Sequence, residues 1–190
     1  MTNQYTENKT FKNNNYSEAG LGKGEYENCT FFNCIFTNTD LSEIKFIECD
    51  FDTCDLSNAK LIGTAFQDIV FRNCKLFGLH FDDCNTFLLS FRFEECILNF
   101  SSFYKLKIKN TYFKDCKLEE VEFVETDLTN SIFQNCDLNR AVFGNTILEK
   151  TDFRTSINYS IDPKTNRIRK AKFSVQGIVG LLDKYDIFIE

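Results

Sequence analysis

The chain has 190 residues, 43% of them hydrophobic, and a formal charge of −6. An acidic balance argues against a surface that coats nucleic acid, and no apolar run reaches the length of a membrane span. Nine cysteines, an odd number with no recognisable signal peptide, fit free thiols in a reducing cytoplasm better than a disulfide framework.

In chain order, residues 1–10 are polar and read as an N-terminal leader or cap. From Phe11 a period of five takes over. A large apolar residue recurs every fifth position to Phe91, then from Leu98 to Phe153, and 15 of the 22 phenylalanines fall on these centres. Five matches neither a helix at about 3.6 residues per turn nor a flat strand at 2, so the chain must turn a corner at every repeat. Thr86 is the one polar centre. Two residues earlier the side chain is usually small, with Ile, Leu or Val in a few repeats, and all nine cysteines occupy that place.

Four repeats per circuit align like with like. Phe11, Phe31, Phe51, Phe71, Phe91, Phe113, Phe133 and Phe153 form one column, and Cys34, Cys54, Cys74, Cys96, Cys116 and Cys136 form a ladder beside the next. The alignment requires two extra residues within 82–97, placed at Arg92, Phe93, Glu94 and Glu95 or a few residues earlier, where Phe87 and Leu88 blur the register. Single repeats cannot bury their apolar face, whereas stacked ones share a continuous core. About seven coils are expected between residues 11 and 158.

Residues 159–190 follow as a tail, with the only proline at Pro163 and then Lys164, Arg167, Arg169, Lys170 and Lys172. Ala171–Tyr185 reads as a short C-terminal α-helix carrying Phe173, Ile178, Val179, Leu181 and Leu182 on one side, and Ile187–Ile189 as a terminal strand. Such a helix would cap the open end of the solenoid, join two copies, or do both.

No catalytic constellation is present in the sequence. His80, the lone histidine, points outward beside Phe81. The pairs Asp82-Asp83, Glu94-Glu95 and Glu119-Glu120 lie on a convex surface with no pocket to separate their pKa values. Cysteines five apart lie on different faces and those 20 apart stack in a dry core, so neither spacing makes them converge on a metal. No cofactor is implied, and no enzyme.

Function is therefore expected on the outer surface. The last 28 residues hold six basic and three acidic side chains, which leaves 16 and 25 in the solenoid, about −9. Two adjacent columns carry most of the excess. One exposes Asp40, Glu43, Asp82, Asp83, Glu122 and Glu125; the other exposes Glu25, Glu27, Glu48, Asp68, Asp127 and Glu149. An acidic strip on a rod disfavours direct binding to nucleic acid and favours proteins that bind it.

Cys54-Asp55-Leu56-Ser57-Asn58, Thr126-Asp127-Leu128-Thr129-Asn130 and Cys136-Asp137-Leu138-Asn139-Arg140 resemble the consensus of the pentapeptide repeat family, and the resemblance extends over about residues 9–158. It implies an all-β solenoid, a right-handed quadrilateral β-helix. Glu27–Cys34, Phe46–Cys49 and the Leu181-Leu182 tail are similar to the quinolone-resistance (Qnr-type) members. That likeness implies a cytoplasmic DNA mimic that occupies a type II topoisomerase, DNA gyrase or topoisomerase IV, and alters quinolone sensitivity without turnover. It also implies a homodimer through the C-terminal segment, with Phe173, Ile178, Val179, Leu181, Leu182 and Tyr185 at the contact. Qnr-type proteins carry two protruding loops, and the short excess near Arg92–Glu95 is the only counterpart. The alternative is a structural or adaptor solenoid with an unrelated protein partner.

Overall fold

The corner that the five-residue period demands is made by backbone of unusual sign. In the computed structural model, which describes residues 4–188, the second residue after each centre has positive φ in nearly every repeat. Left-handed backbone costs most side chains energy and Asn little. Asn accordingly takes 12 of the 27 positive-φ positions that are not glycine. At centres such as Phe36, Leu41 and Leu56 the corner closes as a β-turn, with the amide three residues on donating to the centre's carbonyl at 2.9–3.2 Å.

Four corners complete a circuit, and each circuit lies one strand spacing above the last as a right-handed parallel β-solenoid of about seven turns. Short strands mark two sides. β1 (Gln4–Glu7), β3 (Gly24–Glu27), β5 (Lys45–Ile47) and β7 (Ala65–Gln67) form a four-stranded parallel sheet. A seven-stranded sheet carries β2 (Thr10–Lys12), β4 (Thr30–Phe32), β6 (Asp50–Asp52), β8 (Ile69–Arg72), β9 (Phe91–Glu94), β10 (Tyr112–Lys114) and β11 (Ile132–Gln134). We call the side of the seven-stranded sheet the first side and number onward along the chain, so the four-stranded sheet is the fourth. The solenoid begins before Phe11: Gln4–Glu7, expected to be a leader, pairs with β3.

The core is a set of ring stacks. Along the first side Phe31 and Phe51 lie 4.8 Å apart at 10°, and Phe113 and Phe133 lie 4.7 Å apart at 6°. Burying each ring contributes roughly 1.5–3 kcal/mol. The register departs from the expectation at one level. Phe93, not Phe91, pairs with Phe71 and stacks between Phe71 and Phe113. The two extra residues lie earlier, in Thr86–Leu89, where the chain leaves the coil and returns at Ser90. Phe87 and Leu88 stand on this bulge, 69% and 64% exposed. Arg92, Phe93, Glu94 and Glu95 are regular strand and corner, and Phe93 is fully buried. Thr86 is exposed, and Phe91 fills the space above Phe66 that a larger residue at 86 would occupy.

Where the residue two before a centre is Thr, Ser or Cys, its hydroxyl or thiol in many repeats donates to the carbonyl of the centre one coil below: Thr126 Oγ1 to Phe103 O at 2.8 Å, Ser156 Oγ to Phe133 O at 2.6 Å, Cys54 Sγ to Phe31 O at 3.2 Å. All nine cysteines are buried and free.

Repeats do not end at Phe153. Asn158, Pro163, Ile168 and Phe173 continue the period, with parallel bridges from Ile147 to Arg167 and from Asp152 to Lys172. Phe173 stacks on Phe153 at 5.5 Å and 4°, and Tyr159 and Ile161 fold inward to plug this last coil. The expected α-helix is instead two 3-10 segments, Gln176–Leu181 and Asp183–Tyr185. The first lies hard against Tyr159, where a Cβ on Gly177 or Gly180 would fall 2.1 or 2.0 Å from its hydroxyl or carbonyl oxygen. Of the expected terminal strand, Ile187 and Phe188 are not in strand conformation and Ile189 lies outside the described residues.

Candidate binding surface

Because the core is filled with side chains, the surface is the place to look for chemistry. Among the described residues no His, Cys, Asp and Glu side chains gather as a metal site, and no helix is long and apolar enough to cross a membrane. His80 is exposed, its Nδ1 3.5 Å from Asp82.

The third side carries Asp40, Glu43, Asp82, Asp83, Glu122 and Glu125, brought into line by the stacking of coils. Lys23 holds Asp40 at 3.2 Å and Lys105 approaches Glu125 at 3.7 Å. The Ser42 hydroxyl and backbone N–H, then Lys23, hold Asp40 down at about 2. Glu43 and Asp83 are exposed with no ion pair among the described residues, and with Glu125 they mark every second coil of one corner, about 10 Å apart at the usual strand spacing. Glu122 accepts a hydrogen bond from Ser102 at 2.9 Å. This side keeps its acidic excess along the rod.

The fourth side does not. Below the bulge it shows Glu25, Glu27, Glu48 and Asp68 against Lys45. Above it, Lys107, Lys109, Lys150, Arg167, Arg169 and Lys170 face only Asp127 and Glu149. Both of those acids are already paired, Asp127 with Lys109 at 3.2 Å and Glu149 with Arg167 at 2.6 Å. Partial burial raises the pKa of Asp127, yet hydrogen bonds from Thr129 and the charge of Lys109 bring it below the ordinary carboxylate value. Asp127 is 8% exposed and offers little to a partner. The basic run of the tail, which is outside the repeats when only the consensus is read, stacks onto this side and reverses its sign.

The residues at the sequence-derived offset separate. Arg92 lies over the Tyr112 ring at 5.4 Å, and Arg72 reaches Glu94 at 3.8 Å, so this stretch forms part of the flat first side. Apolar groups that do face solvent include Phe32, the bulge, and Phe77 with Phe100, whose rings lie 5.0 Å apart. In the tail, Phe173 and Leu181 pack inward against the core, whereas Ile178, Val179 and Tyr185 are exposed. Between tail and last coils is a cleft of about 560 Å³ lined by residues including Arg154, Ser156, Asn158, Gln176 and Asp183. Tyr159, at its floor, is 4% exposed and its hydroxyl has no hydrogen-bond partner among the described residues.

No curated protein sequence matches the chain. Solved structures do. QnrB1, a plasmid-mediated fluoroquinolone resistance protein, superposes in a trypsin-treated variant form with a TM-score of 0.59 at 18% identity, over 98% of this chain and 92% of that one. Full-length QnrB1 gives 0.57 at 17% identity, over 97% and 100%. At that identity the likeness is one of fold. The pentapeptide repeat region profile matches residues 25–92 and 88–160, most of the solenoid. With the five-residue period, the four-cornered coil and the stacked centres all in place, the chain belongs to the pentapeptide repeat family.

Proposed function

We propose that the protein is a non-catalytic DNA mimic that binds DNA gyrase or topoisomerase IV and modulates quinolone sensitivity. The observation that carries this reading is the acidic excess of the third side, with Glu43, Asp83 and Glu125 recurring on alternate coils along one straight edge. Such an edge can occupy a basic groove shaped for duplex phosphates. The fold shared with a fluoroquinolone resistance protein supports the same direction. The fourth side contributes only its lower half, through Glu48 and Asp68, so the acidic face is narrower than the sequence suggests. Free buried thiols fit a cytoplasmic setting.

A supercoiling titration with gyrase, with and without ciprofloxacin, tests the proposal. Inhibition alone or rescue from the drug supports it and distinguishes its two modes; a flat response to tens of micromolar removes it. Reversing Glu43, Asp83, Glu122 and Glu125 to Lys should weaken binding about tenfold or more at low salt, with the melting curve retained.

Within the same reading, a homodimer forms through the tail. Ile178 and Val179 are 50% and 44% exposed on the outer surface of the 3-10 segment, while Phe173 and Leu181 hold that segment to the rod. At high salt, where charge-paired contacts are screened, Ile178→Asp with Val179→Asp should give a folded monomer by sedimentation, and an unchanged dimer there removes the tail's role. The Phe77–Phe100 pair favours a second reading, an adaptor solenoid that docks an apolar protein surface. Phe100→Asp should abolish that docking and leave supercoiling unaffected.

A further inference from the structure

The bulge and the charge reversal fall at the same level of the same side. Thr86–Leu89 interrupts the fourth side at its fifth level, between Phe66 and Ile108. The four levels below it carry acids, and of the four above, those of Ile108, Leu148 and Ile168 carry the bases. Glu48 and Asp68 below, and Lys107, Lys150, Arg169 and Lys170 above, are exposed and have no ion pair among the described residues. Between them Phe87 and Leu88 project, held by hydrogen bonds from Phe87 N–H to Asn85 Oδ1 at 2.9 Å and from Gln67 Nε2 to Phe87 O at 3.4 Å.

A surface with an apolar centre and opposite charges on either side is complementary to itself turned end for end. We propose that two copies associate antiparallel through their fourth sides, on a two-fold axis that passes through the bulge. A two-fold axis lying in the plane between the two faces and perpendicular to the rod reverses the direction of the rod and keeps the level of the bulge opposite itself. Leu88 then meets Leu88 of the second copy. Asp68, one level below the bulge, comes level with Lys107 and Lys109, one level above. Glu27, three levels below, comes level with Lys150, three above. The contact is isologous and closes, and every ion pair is made twice. Asp127 and Glu149, already neutralised within the chain, add no opposing charge. This interface leaves the third side free and is separate from the tail contact, so it stands whether or not the topoisomerase reading does.

Sedimentation of the full chain at tens of micromolar tests it together with two block variants. Glu48→Lys with Asp68→Lys cancels the acidic excess of the lower half; Lys107→Glu with Lys150→Glu cancels the basic excess of the upper. Each alone should run as a monomer when the tail carries Ile178→Asp and Val179→Asp, and an equimolar mixture should restore a heterodimer. High salt should weaken the wild-type contact. Leu88→Cys places the only exposed thiol on the axis, and mild oxidation should convert most of the chain to a disulfide-linked dimer. Ser57→Cys on the second side should cross-link several-fold less. The proposal is overturned if the block variants still dimerise and the mixture gains nothing. It is equally overturned if Leu88→Cys and Ser57→Cys cross-link alike, or if Ile178→Asp with Val179→Asp alone abolishes all association.

Discussion

The coils below the bulge and those above it use the same backbone and fill it differently. Below, aromatic centres occupy the first and fourth sides: Tyr26, Phe46 and Phe66 stack on the fourth while Leu41 and Leu61 serve the third. From Phe81, just before the bulge, the third side becomes aromatic, with Phe81, Phe103, Phe123 and Phe143 in a stack, and above the bulge the fourth becomes aliphatic at Ile108, Leu128 and Leu148. Each level keeps a similar volume, but the rings change sides. The four-stranded sheet stops at β7, and above the bulge the fourth side closes as β-turns, as at Leu128 and Leu148. The donors shift as well. Six of the nine cysteines lie below the bulge, whereas Ser101, Thr126, Ser131, Thr146, Thr151 and Ser156 make the equivalent contact above. A close-packed core thus accepts two different fillings provided that the volume at each level is conserved.

The junction between these halves is where the largest effect is expected. Phe93→Ala removes a buried ring from between Phe71 and Phe113 and should cost about 3–5 kcal/mol in chemical denaturation. Phe91→Ala, beside a bulge that can settle inward, should cost about 2–3 kcal/mol. The reverse order would return the column to Phe91.

Hydroxyl donors should matter more than thiols. Thr126→Val keeps the shape, removes the 2.8 Å bond to Phe103 O, and should cost about 1–2 kcal/mol, with Thr126→Ser recovering most of it. A Val variant as stable as the parent would reduce the upper ladder to simple packing.

Thiol labelling sharpens the comparison further. Burial raises the Cys49 thiol to about 12 and pushes Cys84 up as well, so both are neutral and inaccessible near pH 8. None of the nine should react in the folded protein. In rising denaturant the six below the bulge should label before the three above. Simultaneous labelling would show that the rod opens as one unit.

The smallest effect concerns acid. Asp40 sits at about 2 in the fold, held by Ser42 and Lys23, against about 3.9 in an unfolded chain. Its depressed value means that its contribution is complete above the unfolded pKa and disappears as pH falls through the folded one. Asp40→Asn should therefore melt lower than the parent at pH 6, with the gap narrowing between about pH 4 and 2.

Much of the rod is legible in the sequence because its rule is local: a small donor, a buried centre and a left-handed corner repeat within five residues. The register at the bulge is harder, since Phe91 and Phe93 both suit the core and only the neighbouring coil decides that Phe93 pairs with Phe71. The role of the cysteines as donors is hidden for a related reason, as their acceptors lie 23 or more residues away. The last coil is obscured by Pro163 at a centre and by the basic run beside it. The tail's 3-10 form follows from its contact with Tyr159, which helical spacing alone does not encode. For the surface, the acidic third side follows from composition, while the reversal on the fourth depends on Arg167, Arg169 and Lys170 stacking above the repeats.

The bulge also bears on inheritance. Register resumes one coil after it, with Phe93, Phe113 and Phe133 in line as though nothing had been inserted. An insertion in the gene is thus absorbed within a single circuit, and a duplicated stretch encoding one circuit would lengthen the rod without disturbing its ends. Lineages of such proteins can change length and surface relief by copying errors that would ruin a globular domain.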